Sequence, residues 1–172
     1  AQMRIPPDRI VAGTYLFAVL AVGGSALLEE APIADMQKVL QVAHEMGAVI
    51  HTASEGLYVQ APERLRPVNM LWTGEYPEFP TDLQSVILVS LLQADGCSEI
   101  IETVFENRFH IVEPLKKMGA NLEVLDTNRV RIYGSSKLIG NVVEAKELRG
   151  GAAMVIAGLM AEGVTLVRGS RY

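Results

Sequence analysis

The sequence is poor in cysteine, with one residue in 172, and poor in aromatic side chains, 6% of the chain against 49% hydrophobic residues overall. A single thiol, Cys97, excludes an internal disulfide, and no spacing between it and the three histidines suggests zinc. Positive charge is also scarce: 15 basic residues face 20 acidic ones, a net charge of −5 at pH 7. That balance argues against a broad nucleic-acid or anionic-membrane surface, so an anionic substrate has to be met locally by a few arginines. Long apolar runs are missing too. The longest cover roughly a dozen residues before Gly, Gln or Asp interrupts them, short of the ~20 that a spanning helix needs. The segment Ala1–Pro7 has no basic region followed by an apolar core, so it does not resemble a signal peptide. A soluble chain in the cytoplasm is expected, with a length that suits one domain with a full core.

What the sequence does have is repetition. The stretch Val19–Glu29 resembles Leu91–Ile101 and again Leu159–Val167, each an apolar helix closed by glycine and followed by a β-rich run. Gly24 and Gly96 are 72 residues apart, and so are Gly47 and Gly119 within Glu45-Met46-Gly47-Ala48 and Lys117-Met118-Gly119-Ala120. Two fixed points at one offset make chance resemblance hard to sustain. Each complete unit is expected to run helix, strand, helix, strand, strand.

In the first unit helices are expected near Gly13–Val22 and Ala34–Met46, the latter with Met36, Val39, Leu40 and Ala43 at three-and-four spacing. Its strands fall near Ala26–Glu30, Ala48–Thr52 and Leu57–Gln60, the last two joined by a turn at Ser54-Glu55-Gly56. The second unit has helices near Asp82–Ala94 and Arg108–Met118, and strands near Ser98–Glu102, Asn121–Leu125 and Val130–Tyr133. A third begins with a helix near Leu148–Ala161 and a strand near Val164–Arg168. The units cover about 8–68, 76–140 and 141–172, the third incomplete, so one domain and a fragment of a longer chain are expected. Ser85–Leu92 and Ala152–Leu159 are apolar almost all round, which predicts helices buried on every side with sheets outside them. The second helices are amphipathic and should keep one wet face.

Two stretches are too polar to be packing alone. In Tyr76-Pro77-Glu78-Phe79-Pro80-Thr81-Asp82-Leu83-Gln84 the prolines force an extended approach to a buried helix. Asp82 then either serves chemistry or meets unpaired N–H groups at the helix start, as acids commonly do. In Glu102–His110 an acid, an amide and a guanidinium (Glu106, Asn107, Arg108) lie between a strand end and a helix start, where α/β architectures often bind ligands. Here the competing reading makes Asn107 a helix cap beside a solvated ion pair, and His110 a plain helix residue. Glu147-Leu148-Arg149-Gly150-Gly151 could admit a phosphate to exposed N–H groups or be a close packing point. Asp8-Arg9 reads as a capped helix start, and Cys97 as a small buried thiol.

Taken together these residues resemble the UDP-N-acetylglucosamine 1-carboxyvinyltransferase family. The match runs through Pro7-Asp8-Arg9-Ile10, Phe79–Gln84, Glu102–Phe109, Met118-Gly119-Ala120 and Leu148-Arg149, then Ala157–Gly163, with Thr103-Val104-Phe105-Glu106-Asn107-Arg108-Phe109 the most specific segment. The resemblance implies an inside-out α/β barrel of repeated units, most of one domain of a two-domain enzyme. It implies transfer of the enolpyruvyl group of phosphoenolpyruvate to the sugar's 3-hydroxyl, with release of phosphate, in peptidoglycan precursor synthesis. No cofactor or metal is implied, and the partners are the two substrates and the second domain rather than nucleic acid or membrane.

By this pattern Asp82 meets the attacking hydroxyl as general base, Val104 meets the nucleotide sugar through its backbone, and Arg108 and Arg149 serve the anionic groups. Asp8 and Arg9 fall at the hinge between domains. Glu147 stands where the family has aspartate, one methylene shorter, and is the third residue assigned a catalytic role beside Asp82 and Arg108. The family's reactive cysteine and phosphate-binding lysine belong to the other domain and its Arg-Gly-Tyr-Glu motif would lie past Tyr172, so this chain alone is expected to turn over little or nothing. Alternatives are a 3-phosphoshikimate transferase, a non-catalytic nucleotide-sugar-binding or interaction domain of the same fold, and an unrelated structural repeat.

Overall fold

A computed structural model describes residue 3 and residues 5–169. Residues 170–172 of the expected third unit, and residues 1, 2 and 4, lie outside that range. The first unit holds α1 (Arg9–Val22), β1 (Ser25–Glu29), α2 (Gln37–Glu45, entered through a 3-10 turn at Ile33–Met36), β2 (Val49–Ala53) and β3 (Gly56–Gln60). β4 (Met70–Trp72) lies between the first two units, and the second holds a 3-10 turn at Thr81–Leu83, α3 (Gln84–Leu91), β5 (Cys97–Ile101), α4 (Val112–Lys117), β6 (Leu122–Asp126) and β7 (Arg129–Tyr133). Then come β8 (Val142–Glu144), α5 (Leu148–Met160) and β9 (Leu166–Arg168).

The expected order of elements is present, and the sheets repeat it. β3 lies between β1 and β2, antiparallel to both, as β7 lies between β5 and β6. The turn after each second helix is also the same: Gly47 and Gly119 both have φ +95°, a left-handed conformation that costs glycine no Cβ clash. The short strands β4 and β8 were not expected. They pair parallel with β5 and β9 respectively, and three-residue strands paired across a helix leave little local signal.

Helices sit inside and sheets outside. All eight residues of α3 are buried, and α3 packs against both α1 and α5. Each sheet covers the leading helix of its own unit: β1 and β3 cover α1, β5 covers α3, and β8 and β9 cover α5. Outside them α2 buries Val39, Val42 and Ala43 and leaves its other face wet. Of the two helices expected to be buried on every side, α3 is and α5 is not. α1 exposes Val11, Tyr15 and Val22, and α5 exposes Leu148, Val155 and Leu159. α1 and α5 also pack on each other, so the three inner helices are mutually in contact, and each of these two leaves part of its circumference exposed.

Two helix starts differ from expectation. α1 begins at Arg9 rather than near Gly13, in keeping with the reading of Asp8-Arg9 as a capped helix start: the Asp8 carboxylate accepts the Ile10 N–H at 2.7 Å. α4 begins at Val112 rather than Arg108. Pro114 has no N–H to give residue 110, so it is tolerated only in a first turn. Arg108–Ile111 therefore stay irregular, and His110 is an exposed turn residue rather than a helical one.

Direction matters for the site. Gly13 on α1 faces Leu83, and farther along Ser90 Oγ donates to the Phe17 carbonyl at 2.9 Å, so α1 and α3 run the same way. Arg149, in the first turn of α5, reaches Asp82 before α3. The N-terminal, electropositive ends of the three inner helices thus gather at one end of the molecule.

Candidate functional site

At that end the chain rises through Pro80, extended at φ −70° and ψ 131°, into the turn Thr81–Leu83. Neither this turn nor α3 carries a side-chain cap, so Asp82 does not serve as one. Its Oδ1 instead stands 3.5 Å from Arg108 Nη2 and 3.4 Å from Arg149 Nε. The Asp82 side chain is 42% exposed, Arg108 16% and Arg149 28%. An accessible carboxylate is thus held by two half-sheltered guanidiniums, among the positive helix ends. Chemically this suits a base beside an anionic ligand, since the guanidinium forks keep unused N–H donors.

The loop after β5 supplies Arg108. Asn107 turns the chain at φ +54°, a left-handed conformation that asparagine tolerates well, and it caps no helix. Arg108 then lies back over the Phe105 ring, 4.9 Å from its centroid, and Nη1 donates to Thr81 Oγ1 at 3.0 Å. Val104 is 37% exposed. It borders a cavity of about 590 Å³ with Phe105, Asn107, Thr127 and Asn128.

Glu147 sits apart from this contact set. Its Oε1 accepts the Gly150 N–H at 2.9 Å and caps α5. A Cβ on Gly150 would stand 3.0 Å from that oxygen and 3.1 Å from Ile111 Cγ2, so the Gly-Gly pair is a close packing point. The structure therefore brings Asp82, Arg108 and Arg149 together, places Val104 on the adjoining loop, and uses Glu147 to fix the helix that carries Arg149.

Two residues escaped the sequence reading. Glu102, 1% exposed, accepts the Thr81 hydroxyl at 2.8 Å and the N–H groups of Val104 and Phe105 at 2.9 and 3.1 Å. Thr81 is the link between Glu102 and Arg108. Both lie inside the polar stretches singled out, but nothing in the local pattern marks Glu102 as buried. Cys97 corrects an expectation: it is exposed, not buried. It shares the outer face of β5 with Glu99, while Ser98 and Ile100 point inward. Arg9 lies 4.7 Å over the Tyr76 ring, tying the start of α1 to the segment that leads to Asp82. Among the described residues no group of three or more His, Cys, Asp or Glu could hold a metal ion, and no helix is long and apolar enough to cross a membrane.

Comparison with known proteins gives a consistent set of similarities. The family model for EPSP synthase (3-phosphoshikimate 1-carboxyvinyltransferase) matches residues 1–171. A UDP-N-acetylglucosamine 1-carboxyvinyltransferase of Halothermothrix orenii is 42% identical over 168 residues, 98% of this chain and 40% of that protein. UDP-N-acetylglucosamine 1-carboxyvinyltransferase 1 of Halalkalibacterium halodurans is 40% identical over 97% of this chain and 38% of its own length. Among solved structures, the enolpyruvyl transferase NikO from Streptomyces tendae matches with a TM-score of 0.87 at 21% identity, over 98% of this chain and 40% of that one. An EPSP synthase from Acinetobacter baumannii matches at 0.75 and 20% identity, over 97% and 40%. These structures share the fold, and the chain spans about two-fifths of the length of the relatives it matches.

Proposed function

Because the chain belongs to the EPSP synthase family of 1-carboxyvinyl (enolpyruvyl) transferases, we propose that it supplies one part of a UDP-N-acetylglucosamine 1-carboxyvinyltransferase. The reaction is enolpyruvyl transfer from phosphoenolpyruvate to the sugar's 3-hydroxyl in cytoplasmic peptidoglycan precursor synthesis. The choice of sugar nucleotide over 3-phosphoshikimate rests on identity: relatives of the first kind are 40–42% identical to the chain, whereas the EPSP synthase structure is 20% identical. We read residues 1–172 as most of one domain, two full repeat units and part of a third.

The observation that carries the reading is Asp82 at the meeting point of Arg108 and Arg149. In the mechanism this implies, the sugar hydroxyl loses its proton to the Asp82 carboxylate as its oxygen bonds to C2 of phosphoenolpyruvate, while the double-bond electron pair takes up a proton at C3. The tetrahedral intermediate then loses a proton from that methyl group and expels phosphate, which restores the double bond as the enolpyruvyl ether. Arg108 and Arg149 offset negative charge on the substrates with fixed donors, and the pooled helix N-termini favour the same sign. Glu147 takes no part in proton transfer on this reading; it positions Arg149 by capping α5. The sugar nucleotide meets the backbone at Val104. Closure of a second domain would exclude water and strengthen each of these contacts.

The test is phosphate release from phosphoenolpyruvate in the presence of UDP-N-acetylglucosamine, with the complete two-domain enzyme that carries this sequence. Asp82→Asn should lower kcat by about 100- to 10,000-fold, the range expected for a lost general base. The 172-residue chain assayed alone should release no phosphate. An Asp82→Asn enzyme at wild-type rate would refute the assignment of the base.

A further inference from the structure

We propose that Glu102 is a positioning residue of the transferase site, acting through Thr81 on Arg108 and through the backbone on Val104; this rests on the reading of the site given above. Glu102 is 1% exposed, and both its oxygens are committed. Oε2 accepts the Thr81 hydroxyl at 2.8 Å, and Oε1 accepts Val104 N–H and Phe105 N–H at 2.9 and 3.1 Å. A buried carboxylate can only accept, so it dictates the polarity of everything it touches.

The first consequence concerns Arg108. A hydroxyl has one proton and two lone pairs. With its proton fixed on Glu102, Thr81 must present lone pairs elsewhere, and Arg108 Nη1 donates to it at 3.0 Å. The same guanidinium then holds Nη2 at 3.5 Å from Asp82. The order Glu102, Thr81, Arg108, Asp82 is thus a relay of hydrogen-bond polarity from the interior to the candidate base.

The second consequence concerns Val104. In a trans peptide the N–H and C=O point in opposite directions. The Phe105 N–H is held on Glu102, so the Val104 carbonyl of the same peptide faces away from the buried carboxylate. Two further bonds stop the loop from turning over: Thr103 N–H and Thr103 Oγ1 bond Thr73 Oγ1 and the Thr73 carbonyl at 3.0 and 2.6 Å. One buried acid therefore sets both the sugar-facing backbone and the arginine beside the base.

The experiment uses steady-state kinetics of the complete enzyme with Glu102→Gln, Thr81→Val, Thr81→Ser and the Glu102→Gln/Thr81→Val double variant, each with a measured Tm. In Glu102→Gln the amide oxygen can still accept both loop N–H groups, but the amide nitrogen donates to Thr81 and reverses that bond. The expected result is a kcat about 10- to 100-fold lower with KM for UDP-N-acetylglucosamine unchanged. Thr81→Val should show the same split, Thr81→Ser should recover most of the loss, and the double variant should be little worse than either single one. A merely structural role would lower Tm without that split, rescue or non-additivity, and would overturn the proposal. Wild-type kcat in Glu102→Gln and Thr81→Val, with Asp82→Asn inactive, would overturn the relay alone. A fully active Asp82→Asn enzyme would overturn the reading beneath it.

Discussion

Among the described residues two clusters set one carboxylate between two arginines, and they share little beyond their charges. On the outer face of the second sheet, Glu99 faces Arg131 directly across β5 and β7. Its Oε1 accepts Arg131 Nε at 2.8 Å and its Oε2 accepts Arg129 Nε at 2.7 Å, with Arg129 Nη2 closing a second contact. The Glu99 side chain is 11% exposed, and its hydrogen bonds, first from Arg129 and then from Arg131, hold its carboxyl below the usual glutamate value. At the helix N-termini, Asp82 is 42% exposed and meets Arg108 and Arg149 through one oxygen at 3.5 and 3.4 Å. The sheet cluster is complete in itself and joins strands. The helix-end cluster is assembled but loose, with donor capacity left for a ligand. The same three charges make a staple when the contacts are short and closed, and a site when they are long and open.

Conservative substitutions should separate the two. Arg108→Lys removes the fork that reaches Thr81 and Asp82 together, and a single ammonium cannot replace it. kcat/KM of the complete enzyme should fall about 10- to 100-fold, while Arg129→Lys in the sheet cluster should leave turnover near wild type.

Smaller, and confined to stability, is Gly13→Ala. Its Cβ would stand 2.4 Å from Cδ1 of the fully buried Leu83, next to Asp82. Overpacking at the α1–α3 crossing should cost about 1–3 kcal/mol, read by urea denaturation.

Smallest is Glu99→Gln, whose effect should depend on pH. A carboxyl whose folded-state pKa lies below its ordinary value of 4.5 adds stability that is present above that value and lost as pH falls through the lower, folded one. The variant should therefore melt below wild type at pH 7, and the gap should close as pH drops below about 4.5. A gap independent of pH would mean that the staple acts by packing rather than by charge.

The repeat made most of the fold legible. Glycines at a common offset mark turns that are superimposable in conformation at Gly47 and Gly119, and the all-round apolar character of Ser85–Leu92 places α3 at the centre. What stayed hidden depends on partners far along the chain. β4 exists because Met70–Trp72 pairs with residues 99–101, and the true start of α4 follows from where Pro114 can be accommodated. Asp82, Arg108 and Arg149 were legible as motif residues, but their meeting needed two helix starts and the loop after β5 brought together. Glu102 was invisible as a site component because strand-end glutamates are usually solvated, and only the fold shows it buried against Thr81. The face of Cys97 was misjudged for the matching reason: strand alternation is fixed only once register is known.

The most direct test follows the arginine Nε–H signals of the ¹⁵N-labelled chain by NMR during titration with UDP-N-acetylglucosamine. The account predicts shifts at Arg108 and Arg149, with the Asp82 and Val104 amides, while Arg129 and Arg131 stay still. Movement at Arg129 and Arg131, or no movement at any of these, would contradict it.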